Sequence, residues 1–574
     1  MTRRLISAVT LTLFVVLSPI AHSQDSTAAP NPAVAAADHL YDSGKFAHAE
    51  ESYRDILKTD PKLVPAEFGL VRSLLEQYKV DDALDTVNAA LTATPNSAPL
   101  LAAKGDVLFR LGDMAEADRT YVAANRIDPK EVHVHLGLAR LYRSYSLYRK
   151  AYDRLQFAHE IAPNDIEVQR AWMQTLPRKQ KLAALEAYLA GPHPDDEEDT
   201  QHWQEYLEFL KSTADAPVHA CRLVSKVEST ATRLEPMMHD AQHLRGIGLT
   251  VVLNGHNNRL LFDTGAGGII ISRRAAEKAG LERISTQHYG GIGDKGWQTG
   301  YTAIANDIKI GELEFQDCVV HVSDARSLAE EDGLIGADVM ASYLVDIDLP
   351  GMQLKLSPLP KRPEDTVAPK SLNSEGEDQA TAEQKENSAA APSATANPSQ
   401  PSPVRLPKDR YVAPEMADWT KVFRFGHTIL VPTSVNGSND MLFGLDTGAF
   451  ENLISVRAAR QVTKYSADPR IQVRGLSGSV QKVYSADNVT LTFARMRQTT
   501  QNMISIDMEK LSHNPTTSAP RSPASSAFLC CACSTSKSTT GTGWCTSPTT
   551  RNVCRRRCAE WNVMCPEWRC RRLR

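Results

Sequence analysis

The chain has 574 residues, too many for one hydrophobic core, so several domains are expected. Its formal net charge of −4 is close to neutral for that length and gives no general argument for nucleic acid as a partner. Ten cysteines are distributed unevenly: Cys221 and Cys318 lie in the body of the chain, and the other eight crowd between Cys530 and Cys570.

The N-terminus reads as a secretory signal over residues 1–23. Arg3 and Arg4 precede an apolar run from Leu5 to Ile20, and Ala21-His22-Ser23 has the small residues that signal peptidase requires. An uncleaved membrane anchor is the competing reading, but the run is shorter than the roughly 20 residues a spanning helix needs. No later segment is apolar enough to cross a bilayer. The expected location is therefore exported, periplasmic or secreted.

Residues 34–215 carry a helical repeat and its cap. Pro61, Pro95, Pro129 and Pro163 recur with a period of 34, as do Ala49, Ala83, Ala117 and Ala151, while Gly44 and Gly112 mark a third phase. Apolar residues between these markers have helical spacing. Small residues where two helices cross, with proline after the second helix, resemble the tetratricopeptide repeat. The resemblance covers about residues 34–165 and implies antiparallel helix pairs stacked as a solenoid, with Tyr53 and Tyr121 filling the space beside the alanines. Less regular helices are expected to cap the stack. Such an array serves either as a spacer or as a surface that docks a protein partner.

Near residue 217 the periodicity becomes that of strands. Gly246 to Gly255 reads as a strand entering a turn, with Leu260 to Asp263 as its hairpin partner. Residues 358–408, rich in Pro, Ser, Ala and Glu, read as a disordered linker. Strand character returns over residues 409–517.

One pattern occurs in both strand-rich regions, 183 positions apart. Leu260-Leu261-Phe262-Asp263-Thr264-Gly265-Ala266 continues through Ile271-Ser272 and Arg274-Ala275-Ala276. Met441 to Asp446-Thr447-Gly448-Ala449 continues through Ile454-Ser455 and Arg457-Ala458-Ala459 without a gap. An apolar strand ending in Asp-Thr-Gly sets one carboxylate at a tight turn. Two such carboxylates side by side cannot both ionise cheaply, so one keeps a proton while the other activates water.

These residues resemble the retropepsin-like aspartic peptidases of bacteria, well over residues 240–357 and partly over residues 421–517. The resemblance implies two all-β acid-protease lobes, 217–357 and 409–517, with Asp263 and Asp446 as the catalytic pair. Thr264, Gly265, Thr447 and Gly448 would support the two catalytic loops, the threonines by hydrogen bonds across the lobe interface. Gly290, Gly291 and Gly293 stand where the family has a flap that covers an extended peptide. In the first lobe Gly333-Leu334-Ile335-Gly336 stands where a strand braces the catalytic loop. The implied activity is peptide-bond hydrolysis of a peptide or protein substrate, with no cofactor and no metal. Histidines are scattered, and His133 and His135, two apart in a helix, fall on different faces. The active site could form between the lobes of one chain or between first lobes of a homodimer. A non-catalytic scaffold, with the solenoid binding a partner and the lobes inactive, is the rival from another class.

After Thr517 the texture changes to Ser, Thr, Pro, Arg and Cys, and the second lobe lacks its counterpart of the bracing strand and closing strands. With suitable codons, Ala519 to Cys554 read two nucleotides on yields Gly-Phe-Leu-Gly followed by Ile-Lys-Ile-Asp, spaced as Gly333–Gly336 and Val345–Asp348 are. Residues 518–574 are therefore expected to be an out-of-frame tail that leaves the second lobe incomplete. A cysteine-rich module is the alternative, although the spacings repeat no zinc-ribbon pattern.

Overall fold

The computed structural model describes residues 31–195, 197–214, 219, 221–238, 244–292, 298–324, 331–362, 407–449, 451–475, 477–508 and 527–530. The N-terminal signal reading, nearly all of the linker and most of the tail lie outside these residues, as does Gly293.

Ten helices alternate up to residue 190: α1 (Pro32–Asp42), α2 (Phe46–Thr59), α3 (Val64–Glu76), α4 (Val80–Ala93), α5 (Ala98–Leu111), α6 (Met114–Ile127), α7 (Val132–Ser144), α8 (Tyr148–Ile161), α9 (Ile166–Met173) and α10 (Arg178–Ala190). An eleventh, α11 (Glu197–Thr213), closes the array. The repeat markers have local causes. Each recurring proline falls two residues past the end of α2, α4, α6 or α8, where it cannot disturb the helix. Ser97 and Asp113 cap helix N-termini through their side chains, and Gly112 ends α5 in the left-handed region at φ 83°. Ala49, Ala83 and Ala117 are fully buried at the crossings. The ring of Tyr121 lies between Gly105 and Gly137, so close that a Cβ on Gly137 would sit 2.2 Å from it.

Polar contacts link helices far apart in the array. Glu167, at the start of α9, accepts hydrogen bonds from the Tyr41 hydroxyl of α1 (2.9 Å) and the Arg72 guanidinium of α3 (2.6 Å). His133 of α7 approaches the same carboxylate at 3.8 Å. Beside it Asp106 of α5 pairs with Arg140 and takes the Tyr121 hydroxyl. Pro194 closes against Gly44, bringing the end of the solenoid back to its first hairpin.

The first lobe contains β1 (Arg222–Leu223), β2 (Thr230–Arg233), β3 (Glu235–Met238), β4 (Leu244–Leu253), β5 (His256–Asp263), β6 (Ile269–Ser272), the helix α12 (Arg273–Lys278), β7 (Arg283–Tyr289), β8 (Gln298–Ile310), β9 (Leu313–Ser323), β10 (Gly333–Gly336), β11 (Tyr343–Asp348) and β12 (Gln353–Pro358). Its main sheet runs β1-β9-β6-β10-β5-β4-β8-β7 and curls by pairing β8 with β9, and β11-β12-β2 form a second sheet. Phe262, Ile271, Ile308, Phe315 and Ile335 lie in the enclosed core. A disulfide joins Cys221 to Cys318 and so ties the entry segment to β9. The strand β10 lies parallel to β5, with Gly336 opposite Asp263, and antiparallel to β6.

The second lobe repeats this plan. Its elements are β13 (Phe423–Phe425), β14 (Thr428–Val435), β15 (Met441–Asp446), β16 (Leu453–Ser455), the helix α13 (Val456–Val462), β17 (Tyr465–Ala467), β18 (Val473–Gly475), β19 (Gly478–Val480), β20 (Val483–Ala486), β21 (Val489–Phe493), β22 (Met496–Thr500), β23 (Met503–Ile506) and β24 (Ala527–Cys530). The sheet order is β17-β20-β23-β16-β24-β15-β14-β21-β22. The sequence reading expected this lobe to lack its brace. Instead β24 runs parallel to β15 with Cys530 opposite Asp446, the place that β10 holds in the first lobe. The backbone of the tail as written can supply the missing ladder, whatever its side chains. The lobe's expected closing strands fall beyond the described residues.

The second lobe is docked on the solenoid, a contact that the sequence reading did not expect. Phe423, Phe425, Leu430 and Leu442 join Leu108, Phe109 and Leu141 in one buried cluster. Phe425 packs on Phe109 with ring centroids 5.6 Å apart, and Phe423 packs on Tyr145 at 5.1 Å. Asp409 bridges to Leu147, and the Arg410 N–H donates to the Ser146 carbonyl. Arg457 pairs with Asp81. Burying four large apolar side chains is worth up to about 6–12 kcal/mol, far more than the exposed ion pair at the edge.

Candidate active site

The two Asp-Thr-Gly turns meet at the interface of the lobes, each at the end of a strand whose apolar residues are buried on both faces. Leu260, Phe262, Phe443 and Leu445 fix the ends of β5 and β15 in their cores. The following Ile-Ser pairs have a separate purpose: Ser272 and Ser455 end a strand and cap the next helix, accepting from Ala275 N–H and Ala458 N–H. The long duplicated frame is thus strand, turn, strand and capped helix in each lobe.

Thr264 and Thr447 lock the turns together reciprocally. The Thr264 hydroxyl donates to the Leu445 carbonyl (2.7 Å) and accepts the Thr447 N–H (3.0 Å). The Thr447 hydroxyl donates to the Phe262 carbonyl (2.6 Å) and accepts the Thr264 N–H (3.1 Å). All four bonds are buried, where a missing partner is costly.

Gly265 and Gly448 let the carboxylates come close. A Cβ on Gly265 would lie 2.8 Å from the Asp446 carboxyl carbon, and one on Gly448 would lie 2.5 Å from that of Asp263. Each carboxylate thus sits against the turn of the opposite lobe. Asp263 accepts the Gly265 N–H, and Asp446 accepts the N–H groups of Gly448 and Ala449. Burial, followed by the neighbouring Asp446 charge, holds the Asp263 carboxyl well above the usual carboxylate range. Burial raises Asp446 too, but hydrogen bonds from Asp263, Gly448 and Ala449 and the nearby His427 oppose it.

Of the expected flap residues, Gly290 and Gly291 directly follow β7. The structure sets a second hairpin that the sequence reading missed, β18–β19, against these residues. Gly291 N–H donates to Ser477 Oγ, Ser477 N–H donates to the Ile292 carbonyl, and Ile292 packs among Leu453, Val483 and Ile506 of the second lobe. Its signal was available in Gly475-Leu476-Ser477-Gly478, a glycine-flanked turn after the second Asp-Thr-Gly as Gly290 to Gly293 is after the first. Asp338 was also missed. Its carboxylate accepts the N–H groups of Gly268 and Val339, pinning the first Asp-Thr-Gly turn to the end of β10. His133 and His135 stay apart, one by Glu167 and the other on the Pro129 carbonyl.

Residues 249–342 match the family described as gag-polyprotein putative aspartyl protease, and residues 19–138 match the tetratricopeptide repeat-like domain. The chain joins a tetratricopeptide-like solenoid to a retropepsin-like aspartyl protease region. The chain is similar to DNA damage-inducible protein 1 of Neurospora crassa, with 33% identity over 126 residues, 21% of this chain and 26% of that protein. The match thus spans about a quarter of that relative's length. Among solved structures, a retropepsin-like aspartic protease from Rickettsia conorii is 18% identical, covering 24% of this chain and 94% of its own at a TM-score of 0.18. A thermophilic tetratricopeptide protein of Thermus thermophilus is 19% identical, covering 31% of this chain and 97% of its own at a TM-score of 0.26.

Proposed function

We propose that the chain is an aspartic endopeptidase whose two carboxylates, Asp263 and Asp446, activate a water between them. The observation that carries this reading is the reciprocal threonine lock, which holds two carboxyl groups, each against the turn of the opposite lobe, at the interface of the two lobes. The proton belongs to the pair, and the stronger upward push on Asp263 puts it mainly there. Asp446 then takes a proton from water as the oxygen attacks the peptide carbonyl, and Asp263 gives its proton to the carbonyl oxygen. As the C–N bond breaks, Asp446 passes its proton to the leaving amine and a hydroxyl of the tetrahedral diol returns one to Asp263, which restores the pair. The flaps, Gly290 to Ile292 and Gly475 to Gly478, would hold an extended peptide by strand pairing.

Hydrolysis of a peptide library by wild type, Asp263→Asn and Asp446→Asn tests this. Loss of cleavage in both variants is expected. Cleavage undiminished in Asp263→Asn supports the scaffold reading instead, and loss in Asp263→Asn alone, with a dimeric mass in solution, supports a symmetric dyad from two chains.

The solenoid is proposed to bind a protein partner. Export is proposed from the Arg3-Arg4 and Leu5 to Ile20 leader, a reading that the Cys221–Cys318 disulfide suits. Residues from about Ser518 onward are proposed to be out of frame. Sequencing independent DNA across codons 510 to 530 checks this, and an uninterrupted frame there refutes it.

A further inference from the structure

The outer face of the first-lobe sheet carries polar side chains that the proposed hydrolysis does not use. Gln287 and Tyr289 come from β7, Thr302 from β8, and His321 and Ser323 from β9, and the strand pairing puts them all on the face away from the core. They are bonded to one another. Gln287 Oε1 accepts from the Thr302 hydroxyl (2.7 Å) and from His321 Nδ1 (2.5 Å), and the Tyr289 hydroxyl meets that of Ser323. Ser323 is fully buried and the others are half-buried, so the set is a partly enclosed polar patch rather than a solvated surface. Two landmarks fix its place. The His321 ring stands against Gly268, five residues past Asp263, where a Cβ would lie 3.1 Å from Cδ2. Gln287 and Tyr289 lead directly into Gly290 and Gly291, which are proposed above to help hold a peptide. The patch thus runs from the Asp263 turn to that hairpin. On its other side the same turn meets the second lobe, whose His427 ring lies against Gly267.

The second lobe supplies an internal comparison. Its strand β23 pairs with β16 as β9 pairs with β6, so Ile504 and Ile506 stand where the first lobe has His321 and Ser323. By the next pairing Val483 stands where it has Gly300. There the face is apolar: Val483 and Ile506 are buried with Leu453, and Ile292 of the first lobe packs on them. The shared frame therefore accepts either chemistry on this face, and neither the strand pairing nor the core requires the polar set.

We propose that Gln287, Thr302 and His321 form a subsite that takes an uncharged, hydrogen-bonding side chain of a bound peptide, a carboxamide best of all. The inference gives the proposed peptide site a side-chain preference and rests on that reading. An imidazole, a carboxamide and hydroxyls offer donors and acceptors together, which a Gln or Asn side chain can match and an aliphatic one leaves unpaired. Asp338, beside Gly268, disfavours an acidic side chain, and its N–H partners already take the place that a basic one would seek.

The probe is a set of octapeptides in which each position in turn is Gln, Leu, Lys or Glu. They are bound to the full chain carrying Asp263→Asn, so that affinity is read without cleavage. At one position Gln should bind roughly three- to tenfold more tightly than Leu, with Lys and Glu weaker still. Adding His321→Ile, which installs the second lobe's residue, should reverse that order at this position alone. Adding Thr302→Val, which removes one hydroxyl, should level it, and this milder variant decides the matter if His321→Ile binds no peptide. The absence of any position that prefers Gln, an order unchanged by Thr302→Val, or no binding of any peptide overturns the proposal. Cleavage of the same peptides by the wild-type chain is a separate readout: selective binding without cleavage refutes the dyad and leaves the subsite standing.

Discussion

At the scale of single residues, the lobe interface depends on two hydroxyls more than on the carboxylates they support. Each threonine both donates and accepts across the interface, so Thr264→Val leaves a buried N–H of Thr447 and a buried carbonyl of Leu445 unpaired. Unpaired buried groups cost about 1–3 kcal/mol each, so a loss of roughly 2–6 kcal/mol is expected in chemical denaturation. Thr264→Ser keeps the hydroxyl and should recover most of it; equal losses for Val and Ser would show that methyl packing matters instead. The dyad's own titration also has a definite sign. Both carboxyls are raised, Asp263 the more strongly, so the proposed hydrolysis should fail at low pH when Asp446 gains a proton and at high pH when Asp263 loses its own. Ala266 and Ala449 add no hydroxyl to stabilise the anions, which also favours a window in the mildly acidic to neutral range. A pH–rate profile peaking below about pH 3 contradicts this account. The Asp-Thr-Gly turns were legible in the sequence because their chemistry is local: a strand, a glycine and a carboxylate within a few residues. Asp338, Ser477 and His427 were not, because each reaches its turn or flap from a distant element.

At the scale of elements, the solenoid was legible from its period, while its closure was not. The 34-residue repeat dictates neighbouring contacts, but Glu167 meets Tyr41 across 126 positions, a contact set by the accumulated rotation of the stack. The packing beside it can be tested at Gly137. Gly137→Ala gains about 1 kcal/mol of helix propensity but drives a methyl into the Tyr121 ring, an overpacking that costs about 1–3 kcal/mol or more. The clash wins, so the variant's melting temperature should fall; a rise would mean that Tyr121 can move aside. The inner network should also make the solenoid acid-sensitive. Burial holds His133 neutral, pushed down to about 3, and the Arg72 charge holds Glu167 ionised far below its ordinary range against the cost of burial. Both folded values lie below the unfolded ones, so the stability they contribute is complete above about pH 6.5 and falls as pH drops toward 3. For His133 the slope is at most about 1.4 kcal/mol per pH unit. His133→Gln should flatten the upper part of that decline in urea denaturation at graded pH, and an unaltered slope would place the acid-sensitive group elsewhere. The raised Asp263 acts in the opposite sense, since its contribution is present at low pH and lost as pH rises through its folded value.

At the scale of the whole molecule, the two lobes differ most in what covers their outer faces, and that difference was written in the sequence without being readable alone. Counting back from Asp446 and Asp263, Leu442 stands where the first lobe has Arg259, and by strand register Leu430 stands where it has Gly248. Arg259 is exposed and pairs with Glu331, as a solvent-facing residue should, whereas Leu430 and Leu442 are 2% and 1% exposed beneath the solenoid. An apolar residue on an outer strand face announces a cover but does not say which element supplies it. Exchanging the pair for the first lobe's residues, Leu430→Gly with Leu442→Arg, should therefore undock the solenoid while leaving both Asp-Thr-Gly turns intact. Removing two leucine side chains costs about 2–5 kcal/mol each, and an arginine facing Leu108 and Phe109 adds a desolvation penalty. Wild type should unfold its solenoid and second lobe in one calorimetric transition, and the double variant in two, with a larger radius of gyration by small-angle scattering. A variant that keeps a single transition and the wild-type radius would show that the Asp409 bridge and the Arg457–Asp81 pair are enough to hold the parts together. If the parts separate as expected, hydrolysis measured on the same protein tells whether the solenoid only carries the protease lobes or sets the geometry of their dyad.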